Sequence, residues 1–392
     1  MKYTSTQVVK LVCDAVRLLE TRGGMYVQDD LAGILDVVTD AVRAGRHITA
    51  EQVVRLRRHG ETSGGSTGKP SSIEICAGGG GQALGLEQAG FEHVALVEID
   101  PAACKTLRHN RPQWPVLECD LHTFNARPYQ GLDLLAGGVP CPPFSVAGKQ
   151  LGEEDERDLF PAALRLVRES RPKAVMLENV RGILDERFAA YRRRIVAELE
   201  ELGYASDWRL LNASDYGVPQ LRPRAVLVAM QKHYMRHFKW PEGNGTAAPV
   251  VGDVLYEEMR SRGWEGAAAW CKRARRIAPT LVGGSKKHGG PDLGPTRARK
   301  AWAELGIDGL GLADEAPPKG FTGMPRLTVK MTALLQGFPP NWHFVGSKTQ
   351  AYRQVGNAFP PPVARAVGVA IARALQTGAL DEEETRLAGK TA

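Results

Sequence analysis

No apolar run in this 392-residue chain approaches the roughly 20 residues that a membrane-spanning helix needs, so a helical membrane protein is excluded. The N-terminus also lacks the basic, apolar and small-residue succession of a secretory signal, and a cytoplasmic location is expected. Cysteine is sparse: six residues at positions 13, 76, 104, 119, 141 and 271, with no CxxC pair. No histidine cluster has metal-ligand spacing. The expectation is a reduced protein with neither a disulfide framework nor a metal. Two phosphate-binding signatures are missing as well. The one glycine-rich turn has no G-x-G-x-x-G spacing, and no Lys-Ser/Thr pair follows it, which argues against a pyrophosphate ligand such as NAD or ATP.

Apolar content of 43% and charged content of 24% describe an ordinary globular protein, long enough for two or three domains. The net charge is +7, but its distribution matters more. Between Lys272 and Lys300 stand nine Lys/Arg against one acid, Asp292, an excess larger than that of the whole chain. Concentrated cationic charge is the electrostatic footprint of a nucleic-acid surface. A solvated basic face is the plainer alternative.

The first 60 residues keep helical spacing of apolar side chains, with Gly23-Gly24 as a break, and read as a helical N-terminal extension. A polar, Gly/Ser-rich linker occupies 61–70. From residue 71 strands alternate with helices, which argues a doubly wound, parallel α/β sheet. Ligands of such a sheet lie at the strands' C-terminal ends, where Gly78 to Gly81, Glu98, Asp120, Cys141 and Glu178 fall. Alternation stops after residue 230, and Gly, Pro, Trp and basic residues dominate an irregular second domain. The assignment is therefore a catalytic domain of 71–230 plus about 345–378, a smaller recognition domain of 231–344, and a flexible tail of 379–392.

Chemistry concentrates at Gly137-Gly138-Val139-Pro140-Cys141-Pro142-Pro143-Phe144-Ser145. A cysteine between prolines, after a strand that ends in glycines, is either a placed thiol or a small core residue beside a turn. Glu178, at another strand end, offers a carboxyl that could donate a proton if burial raised its pKa. The Gly78–Gly81 turn with Glu98 on the next strand suits a nucleoside without pyrophosphate, such as S-adenosylmethionine.

From residue 71 onward the chain resembles a DNA (cytosine-5)-methyltransferase of the bacterial modification type. The resemblance rests on segments in order: ICAGGGGQALGLEQAG, ALVEID, GGVPCPPFSVAG, LENVRGIL, DYGVPQLRPR, a variable segment, RLTVKMTALLQGFP and YRQVGNAFPPPVARAVG. It implies a Rossmann-like S-adenosylmethionine-dependent sheet with a target-recognition domain. On matching residues it implies Cys141 as the nucleophile at C6 of cytosine and Glu178 as the group at N3. Arg222 and Arg224 would hold the base and phosphates. Cys76, Ala77, Gly78, Gly79, Gly80, Gly81, Glu98, Ile99, Asp120, Leu121, Pro140 and Asn357 would line the cofactor. Ser145, Lys286, Lys287, Arg297 and Arg299 would meet DNA. Because C6 and N3 are hidden in a duplex, the base must be flipped out.

Further expectations follow. The charged segment 146–157 reads as a mobile loop that closes over DNA, with Gly148 and Gly152 as hinges. The arginines of the basic segment suggest a GC-rich site; the resemblance implies double-stranded DNA as substrate, a monomer on DNA, and a cognate restriction endonuclease that acts independently. A transfer-RNA cytosine methyltransferase shares this core but has little recognition domain, and a silent DNA-binding protein would not need the four catalytic residues. A nicotinamide oxidoreductase lacks its phosphate fingerprint. Cys76 stands where many members have Phe, and Pro142 where Gln or Asn is frequent.

Overall fold

The computed structural model describes residues 69–140, 158–284 and 290–388, together with Val8, residues 10–14 and Val38. The chain divides into two compact units, Met1–Pro70 and Ser71–Ala392. In the first, Val8 and residues 10–14 are helical, in line with the expected periodicity; most of the other expected N-terminal helical turns lie outside the described residues.

The second unit is built on a seven-stranded sheet in the order β3-β2-β1-β4-β5-β7-β6. Its strands are β1 (Ser71–Ile75), β2 (Glu92–Glu98), β3 (Val116–Glu118), β4 (Leu134–Gly138), β5 (Ala174–Val180), β6 (Tyr204–Asn212) and β7 (Pro223–Gln231). The first five run parallel, as the alternation with helices α1 (Gly81–Gln88), α2 (Pro101–Asn110) and α3 (Phe160–Ser170) predicts. A fourth helix, α4 (Ala189–Glu201), connects β5 to β6. One strand departs from the all-parallel expectation: β7 lies antiparallel between β5 and β6, which both run with the other strands. The reason is the link from β6 to β7, residues 213–222, a short turn through Gly217 at φ 81°. A parallel crossover needs a dozen or more residues and usually a helix.

Strand side chains alternate between two cores. Leu135, Leu177 and Leu227 face one side, with Leu164 and Leu166 of α3 and Ile195 and Leu199 of α4. Leu134, Met176, Val226 and Val228 face the other, where α1 and the final helix cover them through Leu86, Val363, Val367 and Ile371. That final helix runs Pro361–Ala388, past the expected end near residue 378. The supposed flexible tail therefore begins as helix. Its Asp381 carboxylate meets His237 at 3.0 Å and Arg236 at 3.2 Å, contacts between residues far apart in the chain.

The segment after β7 is more regular than its composition suggests. It contains α5 (Lys232–Met235), α6 (Val251–Arg260), α7 (Ala267–Arg273) and α8 (Thr296–Glu304), and α9 (Val329–Leu335) and α10 (Lys348–Asn357) precede the final helix α11. Its tryptophans are core: Trp270 and Trp302 are fully buried, Trp264 nearly so, packed with Leu255, Leu305 and Met331.

Candidate active site

The turn after β1 carries the cofactor side of the site. Cys76, Gly78 and Gly80 have positive φ, and only the two glycines adopt that region without strain. A Cβ on Gly78 would find nothing nearer than the Cys76 carbonyl at 3.9 Å, so this face of the turn is open. Its other face is closed by the C-terminal segment. A Cβ on Gly79 would lie 2.8 Å from Phe344, one on Gly80 2.8 Å from Trp342, and one on Gly81 2.2 Å from the Phe359 carbonyl oxygen. Three of the four glycines are thus required by packing on the far side, with ligand access left to Gly78.

Glu98, at the end of β2, accepts three backbone N–H groups: Gly78 at 2.7 Å on Oε2, and Ile99 and Asp100 at 2.9 and 2.7 Å on Oε1. A carboxylate offers about four acceptor positions, so the residue both shapes the turn and keeps capacity for a hydroxyl. Asp120 Oδ1 accepts from the backbone and ring N–H of His122, both at 2.9 Å, which holds its carboxyl below the ordinary range. Between these acids Ile99 is 59% exposed, an apolar wall at the strand ends, while Leu121 is buried beneath. Burial, then the carboxylates of Glu98 and Glu74, pushes the Cys76 thiol up, so Cys76 is an inert wall residue. An open backbone turn, an acid with spare acceptor capacity, a second acid whose Oδ2 has no partner among the described residues and an apolar wall form a donor and acceptor set that fits a nucleoside.

The reaction side lies at the ends of β4 and β5. Gly138 pairs with Glu178 across the two strands, and Gly138 precedes Cys141 by three residues. A Cβ on Gly138 would meet Glu178 Oε2 at 3.3 Å, so the glycine makes room for the carboxylate. Arg224 Nε stands 2.9 Å from Glu178 Oε1 in a pair almost fully buried. Burial raises the Glu178 pKa above the ordinary carboxyl value, and Arg224 and then Arg222 pull against that rise. Asn179, overlooked in the sequence although it sits in the same LENV segment, donates Nδ2 to the Val139 carbonyl at 2.8 Å and so ties β5 to the cysteine segment. Pro140 is exposed, and its carbonyl accepts from Leu159 N–H at 3.2 Å, so residues 140 and 159 are pinned together. Cys141, Ser145 and segment 146–157 lie outside the described residues.

Arg222 acts on Glu178 through its charge, but its hydrogen bonds go elsewhere. It is 1% exposed and donates Nη1 to the Leu281 carbonyl at 2.8 Å and Nη2 to those of Gly356 and Ala358 at 2.7 and 3.0 Å. The structure joins Arg224, but not Arg222, to Glu178. Beside them the buried Gln220 donates to Gln336 at 2.7 Å and accepts from Leu281 N–H at 2.9 Å. Nothing in the local sequence marks Gln220 or Gln336, since their partners are distant in the chain.

Residues 71–373 match the family described as C-5 cytosine-specific DNA methylase. The chain belongs to this family. It is 55% identical to the Type II methyltransferase M.NgoMIV of Neisseria gonorrhoeae over 309 residues, 78% of this chain and 98% of that protein. It is 56% identical to the Type II methyltransferase M.NaeI of Lentzea aerocolonigenes, covering 77% of this chain and 75% of that one. Among solved structures it is similar to the Dnmt2 methyltransferase of S. pombe, with TM-score 0.53 and 17% identity over 79% of this chain and 99% of that one. That likeness concerns the fold.

In this cytosine-5 DNA methylase the residues expected to meet DNA are partly placed. Arg297 is exposed on the first turn of α8. Arg299 is half-buried, donates to Thr296 Oγ1 at 3.3 Å, and lays its stem on Gly309. Lys286 and Lys287 lie outside the described residues. Other cations of the basic run are already paired: Arg276 with Glu304 at 2.7 Å, and Arg275 with Asp253. Among the described residues no cluster of acids, histidines and cysteines could hold a metal, and no helix is long and apolar enough to cross a membrane. Asn357 is exposed at the end of α10 and donates Nδ2 to the Gly284 carbonyl at 3.2 Å.

Proposed function

We propose that this cytosine-5 DNA methylase is a bacterial Type II modification enzyme that works on a flipped cytosine in double-stranded DNA through a covalent adduct of Cys141. S-adenosylmethionine, held along Gly78, Glu98 and Asp120 with Asn357 and Pro140 at its edges, supplies the electrophilic methyl group when bound. The observation that carries the reading is the pairing of Gly138 with Glu178, which sets the strand leading to Cys141 beside a carboxyl already held by Arg224.

The chemistry follows from the groups. C5 of cytosine is a poor nucleophile because the ring is electron-poor. The Cys141 thiolate adds to C6 while Glu178, whose raised pKa favours its protonated form, gives a proton to N3. C5 then has enamine character and takes the methyl group. Loss of the C5 proton to a base expels the thiolate, and N3 returns its proton to Glu178. The role of Arg224 is to orient that carboxyl and hold the base.

The identity to two proteins named Type II methyltransferases supports a modification role over a transfer-RNA role, since the Dnmt2 likeness is one of fold. The long insert after β7, with its basic run, is the recognition domain in this reading, taken as 231–344, and its cations select a GC-rich site. The enzyme acts as a monomer in the cytoplasm, and a cognate endonuclease would share its site without touching it. Bisulfite sequencing of random duplex DNA treated with the protein and S-adenosylmethionine tests this. Conversion-resistant cytosines confined to one short site are expected; resistant cytosines in transfer RNA alone would overturn it.

A further inference from the structure

The start of α1 lacks an ordinary cap. Its N-cap residue is Gly80, which has no side chain to offer, and its first turn holds no acid. So short a helix is marginal alone, and its first N–H groups need acceptors from elsewhere. One acceptor comes from the sheet. Glu74, in the middle of β1 between Ile73 and Ile75, is 1% exposed and accepts the backbone N–H of Ala83, near the start of α1. That third N–H is one that an N-cap side chain usually takes. The carbonyl of the same residue is held from β2, where His93 Nε2 lies 2.9 Å from it and Nδ1 lies 2.9 Å from Ser72 Oγ. Burial lowers the His93 pKa, against the Ala83 carbonyl and Glu87, so the ring is neutral. A carbonyl only accepts, so Nε2 carries the ring proton and the Ser72 hydroxyl donates to Nδ1. Burial also lifts the Glu74 carboxyl well above the ordinary range, against the Ala83 N–H and with Glu98. Two buried ionisable side chains on neighbouring strands thus clamp Ala83 by its N–H and its C=O, and the methyl-transfer chemistry uses neither. Apolar residues at these places would avoid the cost of burying them.

We infer that Glu74 and His93 are positioning residues for the cofactor: they fix the start of α1 and, through it, the open face of the turn at Gly78. The inference rests on the proposed function for the identity of that ligand. The turn runs from β1 to α1 and is anchored at both ends. On the β2 side, the Gly78 N–H meets Glu98 Oε2 at 2.7 Å and the Ala77 N–H meets the Val97 carbonyl at 3.2 Å. On the helix side, the Gly80 N–H meets the Ala77 carbonyl at 3.0 Å and the Leu84 N–H meets the Gly80 carbonyl at 2.9 Å. A shift of α1 is therefore passed directly to the turn. Glu178 and Arg224 stand on β5 and β7, on the far side of β4 from the clamp. Loss of the clamp should accordingly weaken cofactor binding in ground and transition states alike, which raises KM and leaves kcat in place.

Initial rates of methyl transfer, with S-adenosylmethionine and duplex DNA varied separately, read this split. In Glu74→Leu and in His93→Phe the KM for S-adenosylmethionine should rise about ten-fold, since each leaves one buried backbone group without its partner. The kcat and the KM for DNA should stay within about two-fold of wild type. Glu74→Gln keeps a carbonyl oxygen for the Ala83 N–H and should restore the wild-type KM to within about two-fold. An unchanged KM in either folded apolar variant, a fall in kcat at unchanged KM, or a Glu74→Gln no better than Glu74→Leu would each overturn the clamp. In wild type, S-adenosylhomocysteine should slow exchange of the Ala83 amide by about five-fold or more. Unchanged exchange with the ligand bound would also overturn it, and this result decides even where no variant folds. A wild type that binds no S-adenosylhomocysteine and methylates no DNA would instead overturn the functional reading.

Discussion

Replacing Arg224 by Met removes the cation that, among the described residues, contacts the Glu178 carboxylate, at 2.9 Å, and leaves a side chain of similar volume. Glu178 is 7% exposed. Breaking a buried pair from one side costs about 3–5 kcal/mol when the remaining charge stays ionised. At about 2–4 °C per kcal/mol for a domain of this size, the unfolding midpoint should fall by roughly 10 °C. The loss should depend on pH. A carboxyl whose folded pKa lies above its unfolded value gives stability that is fully present below the unfolded value and is lost as pH rises through the folded one. Burial already raises Glu178 in the wild type, and without Arg224 it rises further. The Arg224→Met penalty should therefore be small near pH 5, where Glu178 can be neutral, and full near pH 8. Adding Glu178→Gln should recover much of the loss at pH 8, because a neutral amide needs no counter-charge. Thermal unfolding followed by tryptophan fluorescence at both pH values measures this. A penalty below about 1 kcal/mol, the same at both pH values and additive in the double variant, would show that the pair is not a buried, coupled one.

Other consequences are more local. Gly81→Ala, whose Cβ would lie 2.2 Å from the Phe359 carbonyl, should cost about 1–3 kcal/mol or more in urea unfolding and weaken S-adenosylmethionine binding with it; normal stability would mean the C-terminal segment yields. Glu98→Gln replaces one acceptor oxygen by an NH2 donor that faces backbone N–H donors, so isothermal titration should show S-adenosylmethionine bound about ten-fold weaker or worse, and unchanged affinity would remove Glu98 from the site. Neutralising Lys286, Lys287 and Arg297 together should reduce the slope of log affinity against log salt by about 2.7 on duplex DNA if all three meet phosphates. An unchanged slope would move the DNA surface elsewhere.

What was legible in the sequence follows from which signals are local. Glycine and proline end the strands, so the local sequence is enough to set Gly78, Glu98, Asp120 and Glu178 at strand ends. The same logic over-extended the parallel sheet, because the antiparallel entry of β7 depends on a short link and a vacant place between β5 and β6. Trp264, Trp270 and Trp302 stand in a segment whose composition reads as irregular, yet they are its core, which only packing partners from Leu255 to Met331 could reveal. The resemblance of the QLRPR segment assigns Arg222 to the base and phosphates, and the structure adds a packing role. The carbonyl partners of that arginine lie 59 to 136 residues away, beyond any local pattern. For the same reason the glycine run reads locally as ligand access, although Phe344, Trp342 and Phe359 explain three of its four members.

Covalent attack by Cys141 is the claim on which the account turns. The most direct measurement uses a duplex carrying 5-fluorocytosine at the methylated position, incubated with the protein and S-adenosylmethionine, because fluorine at C5 cannot leave as a proton does. Denaturing electrophoresis and peptide mass mapping should find a stable protein–DNA adduct on the peptide that carries Cys141, absent from Cys141→Ser. An adduct on another residue, or Cys141→Ser still transferring methyl groups, would contradict it.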